Sequence, residues 1–309
     1  MNKYFNPITK FFSYNNPQDP RLGDLTKPLT KDSDLNNSIV ILGYPDDEGI
    51  NNNFGRVGAR EAPKKIREYF YKMTPHLLRD QDPKLFDLGD FSIEGSLIDR
   101  HQNAKESLKN ILDKTRKIIT LGGGHDYGYP DGAAFLEVFK DQKPLVINFD
   151  AHLDVRPLND KITSGTPFFR LLTDYRDFDF LEIGIQSQCN SRHHLKWAES
   201  KNAHILTFDE IMYSGRSQAT KILEFLEPFL LKKRACFISL DIDAFSNAYA
   251  PGCSQSFATG FDPENFFKVY KILNERLDVR LVGIYEVSPA HDQDNKTSKL
   301  AAQVMFESL

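Results

Sequence analysis

Eight short apolar runs recur along the chain, separated by helical or loop stretches, and this alternation restricts the fold more than any other feature. The runs cover roughly Ser38 to Tyr44, Leu85 to Leu88, Ile118 to Leu121, Leu145 to Phe149, Phe180 to Ile185, His204 to Phe208, Ala235 to Leu240 and Leu281 to Tyr285. Between them, apolar positions three and four apart predict helices, as over Ala104 to Leu112 and Ala219 to Leu231. Strands alternating with helices predict an α/β protein whose parallel sheet is covered on both faces. The 309 residues, 40% of them hydrophobic, suffice for one large core. No internal repeat or low-complexity linker interrupts them, so a single domain over 1–309 is expected, with residues 1–37 as an amino-terminal arm.

Several of these runs end in residues that bind metals. Leu145-Val146-Ile147 leads into Asn148-Phe149-Asp150-Ala151-His152-Leu153-Asp154. Side chains two apart on an extended backbone point the same way, so Asp150, His152 and Asp154 can converge above a strand end. Phe237-Ile238-Ser239-Leu240 repeats the arrangement and ends in Asp241-Ile242-Asp243. Taken alone, Asp-x-Asp at a strand end is more often a turn or helix cap than a ligand pair. Four carboxylates and an imidazole at two strand ends, however, exceed what one ordinary metal ion takes and suggest two.

A third run, Lys117 to Leu121, continues into Gly122-Gly123-Gly124-His125-Asp126. This glycine stretch lacks the lysine and hydroxyl residue of a phosphate loop and does not fit dinucleotide spacing, so it is read as a loop presenting His125. Glu286 ends the eighth run. Ligands of open α/β sheets bind beyond the carboxyl ends of the strands, where all of these candidates fall. Oxygen and imidazole donors without sulfur favour a hard divalent ion, manganese first, with iron, cobalt, nickel or zinc as substitutes.

Charge narrows the substrate. Four aspartates, two divalent ions and a hydroxide leave the centre net negative before Glu286 is counted, which favours a cationic amidine or guanidine over a phosphate ester. Two ions roughly 3.5 to 4 Å apart hold hydroxide near neutral pH, and its attack on a planar amidinium carbon is reasonable chemistry. The net charge of −4 gives no footprint for nucleic acid, and the Lys232-Lys233-Arg234 run is read as a solvated face. No apolar segment reaches signal-peptide or membrane-span length, so a cytoplasmic protein with no membrane partner is expected. Cys189, Cys236 and Cys253 lack zinc-site spacing and are expected to be free thiols.

Gly122 to Asp126, Asn148 to Arg156, Ser239 to Asp243 and Glu286-Val287-Ser288-Pro289 together resemble the signature motifs of the ureohydrolase, or arginase, superfamily. Asp47-Glu48-Gly49-Ile50, Asn53, Gly55-Arg56, Gly58-Ala59 and Pro63 resemble its amino-terminal pattern. The resemblance implies a three-layer α/β/α fold around an eight-stranded parallel sheet with a dimanganese centre. By motif position, His125, Asp150, Asp154 and Asp241 would hold one ion and Asp150, His152, Asp241 and Asp243 the other, with Asp150 and Asp241 bridging. Glu286 would receive the substrate's amidinium or guanidinium group, and the family suggests a homo-oligomer.

Within the superfamily, the third glycine before His125, the context Asn148 to Arg156, and Ser164-Gly165-Thr166-Pro167-Phe168 resemble the formimidoylglutamase branch. No histidine occurs between Pro157 and Arg170, where arginases carry one regarded as a proton shuttle. The expected substrate is therefore N-formimidoyl-L-glutamate, with Arg156 and Ser164 as substrate contacts. Arg156 could instead brace the metal loop by a salt bridge. The alternatives are another ureohydrolase, or a catalytically silent homologue with an assembly or regulatory role. His291 is expected to make an outer hydrogen bond, and His193 and His194 to lie in a loop after the fifth run.

Overall fold

The computed structural model describes residues 4–78 and 80–309. All eight runs become strands: β3 (Ile39–Gly43), β4 (Leu85–Phe91), β5 (Lys117–Leu121), β6 (Leu145–Phe149), β7 (Asp179–Ile185), β8 (Ala203–Thr207), β9 (Ala235–Asp241) and β10 (Asp278–Tyr285). They pair in parallel in the order β4-β3-β5-β10-β9-β6-β7-β8. Two short strands that the sequence reading missed, β1 (Phe5–Asn6) and β2 (Thr26–Pro28), extend the sheet to ten. Both share the outer edge of β4: β2 runs parallel to Leu85–Asp87, and β1 antiparallel to Asp90 and Phe91. Two- and three-residue pieces carry too little apolar pattern to be read from sequence.

Strand alternation sends successive side chains into two separate cores. Ile39, Ile41, Leu145, Ile147, Ile238 and Leu240 face one of them, shared with the helices Ala62–Phe70, Gln218–Leu226, Pro263–Arg276 and Lys296–Glu307. Val40, Leu42, Ile118, Val146 and Phe237 face the other, with Leu97–Leu112, Gly128–Phe139 and Pro167–Asp174. The result is the expected three-layer α/β/α arrangement.

Helix boundaries moved for identifiable reasons. The first predicted helix starts at Leu97 rather than Ala104, because its first two turns bury Arg100 and His101 where apolar residues would otherwise mark the stripe. Ser96 caps it by accepting the Asp99 amide. The second ends at Leu226 and passes into a 3-10 turn at Glu227–Phe229, since Pro228 has no amide hydrogen to continue the ladder. His193 and His194 lie in the first turn of a helix, Arg192–Ser200, rather than in the expected loop.

Candidate metal centre

β5, β10, β9 and β6 are consecutive in the sheet, so their carboxyl ends bring His125, Glu286, the Asp241/Asp243 pair and the Asp150 to Asp154 segment to one place. The glycines before His125 are required by how tightly the chain passes there. A Cβ on Gly123 would lie 1.6 Å from the Asp46 carbonyl oxygen, and one on Gly122 would lie 2.3 Å from the Tyr285 ring. The amides of Gly122 and Gly124 donate to the Ile284 and Asp46 carbonyls, while Gly123 O accepts from Glu286 N. The loop thus extends the ladder between its neighbours, and the Gly122 and Gly124 N–H groups are engaged there and not turned out to cradle a phosphate.

Each Asp-x-His or Asp-x-Asp unit serves as a turn and as a donor pair. Asp150 Oδ1 accepts the His152 amide at 2.7 Å, and Asp241 Oδ1 accepts the Asp243 amide at 2.9 Å. Their other oxygens point towards His125. Its Nδ1 lies 3.1 Å from Asp150 Oδ2, 3.0 Å from Asp154 Oδ2 and 3.2 Å from Asp241 Oδ2. None of these contacts has hydrogen-bond geometry, so this buried nitrogen is unsatisfied. A buried donor atom ringed by three carboxylate oxygens fits a divalent cation.

A second group stands beside the first. His152 Nδ1 lies 3.0 Å from Asp243 Oδ2 and 3.5 Å from Asp150 Oδ1. Asp150 therefore offers one oxygen to each group. The candidate clusters are His125, Asp150, Asp154 and Asp241, and Asp150, His152 and Asp243, the ligand atoms of each within 4.8 Å of one another. Asp241 falls in the first only, where the resemblance would make it a bridge.

Electrostatics show how strongly this cluster attracts positive charge. Burial pulls the His125 imidazole down, but Asp150, Asp154 and Asp241 outweigh it and hold the group well above its ordinary range. Burial also opposes protonation of His152, which Asp243 and Asp150 overcome. Burial and the charges of Asp243 and Asp150 push the Asp241 carboxyl well up. Burial raises Glu286 to about 8, against the pull of the hydrogen bond that its Oε1 accepts from His125 N at 2.9 Å. Both Glu286 and Asp154 adopt left-handed backbone, with φ of 63° and 47°. For a glutamate that conformation is strained, and strain of this kind concentrates at functional sites.

A polar row beneath the strand ends supports the cluster. Ser239, Asn148 and Glu182 are register partners on β9, β6 and β7. Ser239 Oγ lies 2.9 Å from His125 Nε2, and Asn148 Nδ2 donates to Asp150 Oδ2 and to Glu182 Oε2. Sequence reading missed Glu182, a carboxyl raised well up by burial and by Asp150, because it sits inside an otherwise apolar strand. Asp126, the neighbour of His125, is turned away and lies 2.9 Å from His101 Nε2.

His152, Asp154, Asp241, Asp243 and Glu286 form the floor of a cavity of about 260 Å³ whose lining also includes Arg156, Ser164, Asn53, Cys189, Gln255 and Phe257, with His125 and Asp150 buried behind it. Arg156 is exposed at the mouth and donates from Nη1 to Asn53 Oδ1 at 2.7 Å, so the expected alternative of a brace to the metal loop has no carboxylate partner among the described residues. Ser164 is buried and accepts from Asn53 Nδ2 at 3.0 Å. Cys189 ends a short 3-10 turn, Ser187–Cys189, and Gln255 and Phe257 lie in a loop, and none of these segments carries a periodic signal. His291 lies outside the cavity lining, its Nε2 3.1 Å from Val57 O, whereas His194 lines two adjoining clefts that both reach Arg156. All three cysteines are free, and no described helix is long and apolar enough to cross a membrane.

Comparison with known proteins agrees with this geometry. Residues 37–309 match the model of the arginase family. A formimidoylglutamase of Staphylococcus haemolyticus is 31% identical over 274 residues, 88% of this chain and 85% of the relative. One from Streptococcus gordonii is 32% identical over 279 residues, 87% and 83% of the two chains. The crystal structure of Trypanosoma cruzi formiminoglutamase with Mn2+ superposes with a TM-score of 0.81 at 27% identity, covering 94% of this chain and 97% of that one. The Bacillus subtilis formimidoylglutamase structure gives a TM-score of 0.84 at 24% identity over 96% and 93%, which speaks for the fold. With residues 37–309 matching the family model and relatives more than 30% identical over most of both chains, the chain belongs to the arginase family.

Proposed function

We propose that the protein hydrolyses N-formimidoyl-L-glutamate to L-glutamate and formamide, using two Mn2+ ions held by His125, Asp150, His152, Asp154, Asp241 and Asp243. Family membership makes it a hydrolase of carbon–nitrogen bonds in small molecules. The observation that carries the finer reading is one cavity with a carboxylate-rich floor and a guanidinium at its mouth. The two ends suit a substrate with a cationic amidine at one end and carboxylates at the other.

Bound in the cluster, the ions would lower the pKa of water enough to supply hydroxide near neutral pH. The chain's own residues do the rest. Glu286, fixed by the His125 amide, receives the amidine N–H groups and holds the planar carbon over the aspartates. Arg156 takes a carboxylate at the mouth. Asp150 and Asp241 keep their ligand oxygens aimed because each is anchored by an amide two residues on. In the overall reaction water oxygen bonds to the amidine carbon, the bond from that carbon to the glutamate nitrogen breaks, and that nitrogen gains a proton as formamide leaves.

A substrate panel tests this. With manganese supplied, formimidoylglutamate should be cleaved with the highest kcat/KM, and arginine, agmatine and guanidinobutyrate poorly. Arginine or agmatine as the best substrate would overturn the substrate assignment while leaving the metal centre intact. Elemental analysis of protein expressed with manganese and purified without chelator should give close to two ions per chain, and far less than one would refute the dinuclear reading.

A further inference from the structure

We infer that Asn53 is a specificity-determining positioning residue: it aims the guanidinium of Arg156 so that one edge is presented to the substrate's carboxylate. The inference rests on the amidine-dicarboxylate reading above.

Arg156 enters the mouth across Gly165, where an added Cβ would sit 3.0 Å from Arg156 Cδ. Its backbone is fixed as well, with Arg156 N donating to Gly165 O at 2.9 Å. The side chain is then held at one nitrogen only, Nη1, by Asn53 Oδ1 at 2.7 Å. Among the described residues, Nε and Nη2 make no hydrogen bond. Those two nitrogens form one of the planar fork's edges that matches a carboxylate in two parallel bonds.

The orientation of the Asn53 amide follows from chemistry. A guanidinium can only donate, so the amide oxygen must face Arg156. Nδ2 is thereby turned to Ser164 Oγ, which accepts at 3.0 Å. Ser164 is nearly buried, and its amide donates to Gly49 O at 2.9 Å. The chain of contacts therefore runs from a fixed backbone through Ser164 and Asn53 to Arg156. A neutral amide at position 53 is what keeps the guanidinium's charge available. An aspartate there would hold the same nitrogen and neutralise it.

The test compares the ratio of kcat/KM for formimidoylglutamate to that for agmatine, which has no carboxylate, in manganese-loaded wild type, Asn53→Ala and Asn53→Asp. The ratio should fall about tenfold in Asn53→Ala and further in Asn53→Asp, mainly through KM for formimidoylglutamate, as expected for loss of one aimed charge-assisted contact. Manganese content should stay at the wild-type level, which separates aiming of Arg156 from damage to the metal centre. The near-isosteric Asn53→Asp keeps the comparison decisive should the alanine variant fold poorly. A wild-type preference for formimidoylglutamate that survives both changes within about twofold overturns this inference alone, as does a fall that tracks metal loss. A wild type that prefers agmatine overturns the substrate reading and this inference with it.

Discussion

The ring of Tyr285 lies stacked on the imidazole of His125, centroids 4.8 Å apart and planes inclined by 22°, while its hydroxyl donates to Asp131 at 2.6 Å. Asp131 also accepts from Thr120 and Tyr44, each at 2.6 Å. Three adjacent strands, or the residue that continues one, thus converge on a single buried carboxylate that fixes the aromatic face beneath the candidate ligand.

That carboxylate should leave a mark on stability. Burial, only partly offset by the three hydroxyls, raises Asp131 to about 6. A folded-state pKa above the unfolded value means that the native chain holds the proton more tightly. The contribution is complete below the unfolded carboxyl pKa of about 4 and is lost as pH rises through about 6. A shift of this size corresponds to roughly 3 kcal/mol. In urea unfolding, the stability of wild type relative to Asp131→Asn should decline by up to that amount between pH 4 and pH 7.5. A gap independent of pH would show that the carboxyl does not titrate as described.

Ligand substitutions should separate the two ion positions. Asp241→Ala removes a carboxylate from the His125 group, and its rate should fall by more than the roughly 10- to 100-fold typical of losing an outer support, with the fold intact by circular dichroism. Asp243→Asn should weaken the His152 position selectively, leaving close to one tightly held ion per chain. Equal loss of both ions in metal titrations would contradict that division.

Arg156→Ala should raise KM for formimidoylglutamate and narrow the gap to agmatine. Losing a bidentate charge pair costs on the order of 2 to 4 kcal/mol, or roughly thirtyfold to a thousandfold. The ratio of specificity constants across the two substrates reads this directly, and an unchanged ratio would remove Arg156 from substrate recognition.

Gly123→Ala should be among the most damaging single-methyl changes in the chain. Its new carbon would have to displace the Asp46 backbone rather than a flexible side chain. Destabilisation of about 3 kcal/mol or more is expected from overpacking of this severity, with weaker manganese binding because His125 and Glu286 hang on the same loop. Wild-type melting with wild-type metal affinity would contradict the close approach.

The main body of the parallel sheet was legible because eight of its strands coincide with apolar runs, and the candidate ligands because alternation places Asp150, His152 and Asp154 on one side of an extended segment. Neighbour order along the sheet was not legible, since nothing in β5 or β6 states that β10 and β9 lie between them. The division of donors between two groups came from the family resemblance and not from the residues alone, because it turns on which oxygen of Asp150 and Asp241 caps the following turn. Asn53 appeared in a motif without a role, and its contacts with Arg156 and Ser164 are 103 and 111 residues away in sequence.

The shared outer edge of β4 has a consequence for solubility. An uncovered parallel edge of seven residues, Leu85–Phe91, would offer a ladder of free amides and carbonyls to any other extended chain. Here its first half is occupied by Thr26–Pro28 and its last two residues by Phe5 and Asn6, running in opposite directions. An invading strand would have to match both directions at once. The short amino-terminal pieces thereby act as a guard against self-association: a chain trimmed past Pro28 should keep its four ligand-bearing strands yet become prone to aggregate through the edge it has lost.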